Sequence, residues 1–417
     1  HGAVVFPRSN GIQEVSAAMN PKFRRALGRT LAGWSVGVVL ACVLAACGGG
    51  GGGDLAGVGT GGTGTVSTVG VGPISGFGSV IISGVRYDDS AATVTDEDGN
   101  ARTRADLKLG MVGAVSGSAD FVAGTGVATG IRYGSEIVGP VESVDFAGGR
   151  FTVLGATVSI KAATVFDDRL AGLAALKVGD RVEVYGLYNA ADGAYTATRI
   201  EPDPLANRFK LRGAVEALDA ANRRFTVAGV RIDYSGVPAA GMPALANGLI
   251  VRASSARLPS GGLWAVDSLG SAPRVALADG EIKIEGDISA LASPTSFVVD
   301  GVTVDASAAS IAGTPALGRR VKVEGRGRAG ILVAKEVEAA DEDAPDAEEF
   351  EITAAITDFD VATQRFRLRG QLIDASGPVS FESGSRASLA NGRRIELKGY
   401  FDAQAGAVIA TRIHFED

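Results

Sequence analysis

The chain has 417 residues, 46% apolar and 21% charged, a balance that excludes pervasive disorder and predicts folded globular material. Its net charge of −7 is opposite in sign to that of a generic nucleic-acid binder. The only cysteines are Cys42 and Cys47 and the only histidines His1 and His414, so beyond residue 47 no disulfide framework, thiolate metal cage or Ser-His-Asp triad can be assembled.

Residues 1–18 read as an upstream extension, because Met19 opens a more sensible frame. Lys22, Arg24, Arg25 and Arg29 then precede the uncharged run "LAGWSVGVVLACVLAA" (31–46). That run is shorter than the about 20 residues of a membrane span and suits a secretory h-region, so residues 19–46 are expected to be a signal peptide. Its exit, Leu44-Ala45-Ala46-Cys47, resembles the lipobox of bacterial lipoproteins. The resemblance implies cleavage before Cys47 and a covalent diacylglycerol and acyl chain on that residue, with no other cofactor. Each buried CH₂ adds about 0.8 kcal/mol, so several chains would hold the protein on its membrane. By analogy with enterobacterial sorting, Gly48 favours the outer membrane, with the body facing periplasm or cell surface. Residues 47–70, "CGGGGGGDLAGVGTGGTGTVSTVG", lack a packable apolar face and are expected to be a flexible tether spanning about 25 Å.

From residue 71 the chain repeats itself. Openings recur at Gly72, Gly139, Gly213, Gly286 and Ala354, and each copy has a later landmark such as "LKLGMVGAVSG" (107–117) or "LKVGDRVEVYG" (176–186). The period of about 70 residues is too long for a solenoid repeat and right for a small domain. Inside each copy the apolar period is two: Val182 and Val184 alternate with Arg181 and Glu183, as do Val321 with Val323 and Ile395 with Leu397. A second strand reads Phe-x-apolar at Phe151/Val153, Phe225/Val227, Phe297/Val299 and Phe366/Leu368. Such alternation between turn residues predicts half-buried antiparallel strands.

The expected fold is therefore all-β, a tandem array of about five small antiparallel β-barrels, OB-like or SH3-like. The copies occupy 71–134, 135–203, 204–272, 273–340 and 350–417, with an acidic linker at 341–349. Units of this size are marginal alone and have no staple, so neighbouring copies are expected to dock. The opening "GFGSV" at Gly76 to Val80 and the "DLKLGM" landmark at Asp106 to Met111 resemble the bacterial repeat family called domain of unknown function 5666. The resemblance is strongest in copy one. It implies tandem copies behind a lipobox and lends no catalytic residue.

Three features carry candidate chemistry. Asp96, Asp98 and Asn100 place oxygen ligands at alternate positions, as a calcium loop would, but Asp98-Gly99 between strands is also the strongest hairpin signal. Copy three holds eight basic side chains against four acidic ones, whereas copy two holds six against ten. Arg208, Lys210, Arg212, Arg223, Arg224 and Arg231 are thus either a face for an anionic ligand, or docking and solvated strand residues. His414 has no second histidine or cysteine near it and is expected to be an exposed strand residue. Trp264 is expected to pack in the core or at a barrel rim.

The expected function is a lipid-anchored, non-catalytic scaffold, spacer or binding surface of a bacterial envelope. Its expected partners are the membrane, an anionic envelope polymer or another envelope protein, and not nucleic acid. The alternative is a carboxylate-based hydrolase of cell-wall or surface glycan, marked by two acids about 5–10 Å apart in one cleft.

Overall fold

The computed structural model describes residues 68–204, 207–275, 279–340 and 349–416. The signal peptide, the lipobox residues Leu44, Ala45 and Ala46, the lipidation residue Cys47 and most of the acidic linker lie outside the described residues. Within them the fold is all-β, interrupted by three single-turn 3₁₀ segments. Among the described residues no helix is long and apolar enough to cross a membrane.

Copy two shows the plan. Its first strand, Ile137–Asp145, is antiparallel to the second, Arg150–Val153, and to the fourth, Arg181–Asn189. The second pairs with the third, Ala156–Ser159, which runs parallel to the fifth, Ala194–Pro202. The fifth closes on the fourth, antiparallel. The circuit 1-2-3-5-4-1 is a closed five-stranded Greek-key barrel of OB type, which decides between the two barrel kinds expected. One expectation is corrected: each barrel contains a parallel pair. The connection between the two parallel strands, 160–193, includes the fourth strand and is long enough for the crossover that parallel pairing demands.

The same circuit recurs four times. Copy one builds it from Thr68–Phe77, Val80–Ile82, Val85–Asp88, Val112–Asp120 and Thr125–Tyr133. Copy four uses Gly280–Ser293, Ser296–Val299, Val302–Asp305, Arg320–Arg328 and Ile331–Ala339. In copies three and five the first strand is split, as Phe209–Ala214 with Glu216–Asp219 and as Glu349–Ala355 with Thr357–Asp360. Copy three also splits its fifth strand into Trp264–Ala265 and Ser268–Ser271. The expected tether ends early, because residues 68–70 already belong to copy one's first strand, where Val69 pairs with Ile282 of copy four. Glu349, placed in the linker by sequence, opens a strand of copy five.

Local chemistry explains the repetition. Strands two and three are joined everywhere by two residues with positive φ: Ser83-Gly84, Leu154-Gly155, Ala228-Gly229, Asp300-Gly301 and Arg369-Gly370. Two left-handed residues make the type I′ turn whose twist matches that of a hairpin. At Gly229 the turn is open to solvent, with φ +79°. Gly229→Ala is therefore expected to cost about 1–2 kcal/mol through backbone strain alone, measured by chemical denaturation. Period two places the expected apolar residues inside: Phe151, Val153, Phe225, Val227, Phe297, Val299, Phe366, Leu368, Val182 and Val184 are all buried. Each such side chain stabilises by about 1.5–3 kcal/mol.

The barrels dock, as small unstapled units should. The described residues form one compact unit. The buried side chains of copies one, two, three and five form one contiguous apolar cluster. Copy four packs its own core against Val71 and Ala114 of copy one. First strands also pair between copies: Gly76 with Glu351 in parallel, and Lys210 with Val138 antiparallel.

Candidate functional site

Two recesses open where copies one, two and three meet. The larger, about 500 Å³, lies between copy one's hairpin tip, strand four of copy two and the start of copy three. The smaller, about 60 Å³, lies behind it; Glu97, Tyr133 and Arg252 line both.

The hairpin tip is built by Asp96. Its carboxylate accepts the backbone N–H groups of Asp98 (3.0 Å) and Asn100 (2.9 Å), the Asn100 amide (3.0 Å) and the Arg102 guanidinium (2.7 Å). Burial opposes the charge, but these donors hold the Asp96 carboxyl below the usual range. Asp98 pairs with Arg252 of copy three at 2.6 Å. Asp96, Asp98 and Asn100 are thus bound up in the hairpin and its docking, and no group of three or more potential ligands able to hold a metal occurs among the described residues.

The six cations of copy three do not share one face. Lys210 and Arg212 lie on the first strand, toward other copies, and Arg208 just precedes it. Lys210 reaches Glu97 of copy one, with Glu183 of copy two 3.9 Å away. Arg208 pairs with Asp267. Arg212 is buried and engages Asp300 of copy four at 2.9 Å and Glu136 at 3.2 Å. Arg223, Arg224 and Arg231 lie on or beside the hairpin of strands two and three. Arg223 donates to Val237 O (2.7 Å), Arg231 to Gly262 O (2.9 Å), and Arg224 lies 3.7 Å from Asp233. The first three face docked acidic side chains or their own barrel, and the second three brace local turns.

Sequence reading missed the residues that fix this junction. Arg274 binds the same two carboxylates as Arg212, Glu136 and Asp300, closing a four-membered ion network among copies two, three and four. Glu136 is 2% exposed and Arg274's side chain 8%. Burial disfavours Arg212's charge, yet Asp300 and Glu136 more than offset it and raise its basicity. Asp300 is likewise held below the usual carboxylate range by Arg212 and Arg274 against its burial.

In the larger recess Glu97 and Glu183 both lie within ion-pair reach of Lys210. Burial pushes the Glu183 carboxyl up, against the pull of Lys210. It also pushes the Tyr133 hydroxyl up to about 12. His414 is a half-exposed strand residue 3.5 Å from Glu382, and Trp264 is fully buried with its indole N–H on Arg257 O at 2.8 Å.

The model of the family described as domain of unknown function (DUF5666) matches residues 138–201, 285–338 and 352–414. Three successive segments of the chain thus match this domain, consistent with tandem copies of it. The DUF5666 segments coincide with copies two, four and five, running from first strand to fifth. The resemblance drawn from the opening of copy one lies outside them; copies one and three share the DUF5666 barrel's strand circuit. None of the curated proteins compared matches the chain. Among solved structures the chain is similar to Drosophila Unr CSD456, at 13% identity and a TM-score of 0.15, over 50% of this chain and 98% of that one. The OB-like assignment rests on the strand circuit, not on that likeness.

Proposed function

We propose that the protein is a lipid-anchored, non-catalytic binding body of a bacterial envelope, whose ligand site is the recess among copies one, two and three. The observation that carries this reading is that the recess belongs to no single barrel. Its walls come from three copies, tied together by Lys210–Glu97, Arg252–Asp98 and the buried network around Glu136. Repetition here supplies walls to a shared site, in a place where an isolated OB barrel has none. Hydrogen exchange of the full chain with purified envelope glycan is expected to slow amides at 133–138, 183–185, 207–210 and 252–254. Unchanged exchange there contradicts the reading. Anchoring is tested separately: the mature chain is expected to begin at a diacylglycerol-bearing Cys47 by intact mass, and Cys47→Ser to release it from membranes.

The hydrolase reading is favoured by one observation, two carboxylates around one recess. Lys210 between them is the reason to rank it second, since it holds both as ion-pair partners. Release of reducing ends from envelope glycan by the full chain, abolished by Glu183→Gln, would promote it.

A further inference from the structure

The smaller recess has a different character from the larger. Four arginines converge on it, Arg132, Arg212, Arg252 and Arg274, and Glu97 is the one carboxylate in its wall. Arg212 and Arg274 are saturated from behind by Glu136 and Asp300, and Arg252 is held at the rim by Asp98. Arg132 differs. Its guanidinium donates only to backbone carbonyls, Pro273 O at 2.7 Å and Arg274 O at 3.2 Å. Partial burial, and then Arg212, Arg274 and Arg252 around it, make that charge less favourable than in water. Ser135 adds a buried hydroxyl to the wall; it leans toward the Glu183 carboxylate without reaching full hydrogen-bond geometry. The recess, about 60 Å³, exceeds the space one water needs and suits a small polar group.

We infer that this recess binds one oxyanionic group, a phosphate or a carboxylate, carried by an envelope polymer whose remainder lies in the adjoining larger recess. An oxyanion there would receive charge-assisted hydrogen bonds from Arg132 and the Ser135 hydroxyl and would relieve the repulsion among the four guanidinium groups. This inference rests on the composite-site reading and adds the chemistry of the ligand to it.

The test is isothermal titration of the full chain at 150 mM salt with inorganic phosphate and, separately, with a digalacturonate. Binding of phosphate alone assigns a phosphorylated ligand, and binding of the uronate alone an acidic polysaccharide; both outcomes support the inference. Arg132→Gln, at an exposed strand position, is expected to weaken that binding at least tenfold and Arg132→Lys less. Arg231→Gln, which removes an equal charge outside the recess, is expected to leave it unchanged. The inference is overturned if neither anion binds, or if Arg132→Gln and Arg231→Gln behave alike. Slowed exchange in the larger recess with a neutral glycan, insensitive to Arg132→Gln, would overturn it while leaving the composite site standing.

Discussion

Glu136→Ala is expected to destabilise the body by about 3–5 kcal/mol, measured by chemical denaturation, because it leaves two buried guanidinium groups, Arg212 and Arg274, short of a counter-charge. The cost is that of an uncompensated buried charge, and it exceeds what the pair contributes relative to apolar residues of the same shape. Glu136→Gln keeps the volume and an acceptor oxygen and is expected to cost less. The effect should be felt by three copies at once, since Glu136 opens copy two, Arg212 belongs to copy three and Asp300 to copy four. The network also sets a pH dependence. Asp300 is held below the usual carboxylate range, so its contribution is present above the unfolded value of about 3.9 and lost as pH falls through the lower folded value. Glu183 has the opposite sign. Its carboxyl is raised by burial, so its ionisation above about pH 4.3 opposes folding, and acid relieves it. Coupling between copies three and four is therefore expected to weaken below about pH 4, read from the acid limb of the unfolding midpoint.

The second large effect is expected at the glycine that ends the landmark in four of the five copies. In copy two a Cβ on Gly186 would stand 2.5 Å from the carbonyl oxygen of Thr196 on the fifth strand. Gly117, Gly325 and Gly399 meet the same obstacle in copies one, four and five, against Val127, Val333 and Ile409. The register between strands four and five shifts at each of these points, so the glycine lets the barrel turn its corner. Gly186→Ala must push backbone against backbone and is expected to cost about 2–3 kcal/mol by thermal or chemical denaturation. Gly193→Ala, at an open turn with φ +62°, is expected to cost only the strain of a left-handed alanine, about 1 kcal/mol. Copy three supports the explanation. Ser255 stands in the corresponding place, and there the regular fifth strand is interrupted between Ala265 and Ser268.

How much of this was legible in the sequence follows from the range of each interaction. Alternation at Val182/Val184 and Phe151/Val153 is local, and it located strands, their inner faces and the five copies. The choice between barrel types was not local: it depends on Val158 lying beside Tyr195 in parallel, across a connection whose path alternation does not describe. The tether misjudged Thr68 to Gly70 because those residues gain order from a partner strand more than 200 positions away, at Ile282 to Lys283. The cations of copy three show the same limit. Lys210 and Arg212 looked like a surplus because Glu97, Glu136 and Asp300 lie in other copies. Arg132 attracted no notice in a strand of ordinary alternation, since its distinction is three-dimensional: it donates to backbone carbonyls, and Glu97 acts on it without a direct ion pair.

That five barrels act as one body is the claim on which the shared recess depends. With Trp34→Phe in place, Trp264 is the sole tryptophan and reports copy three, while far-ultraviolet circular dichroism reports all five barrels. In a urea titration of the full chain the two signals are expected to trace one coincident transition. A Trp264 transition separated from the circular dichroism curve would contradict the account, because copy three would then unfold without its neighbours.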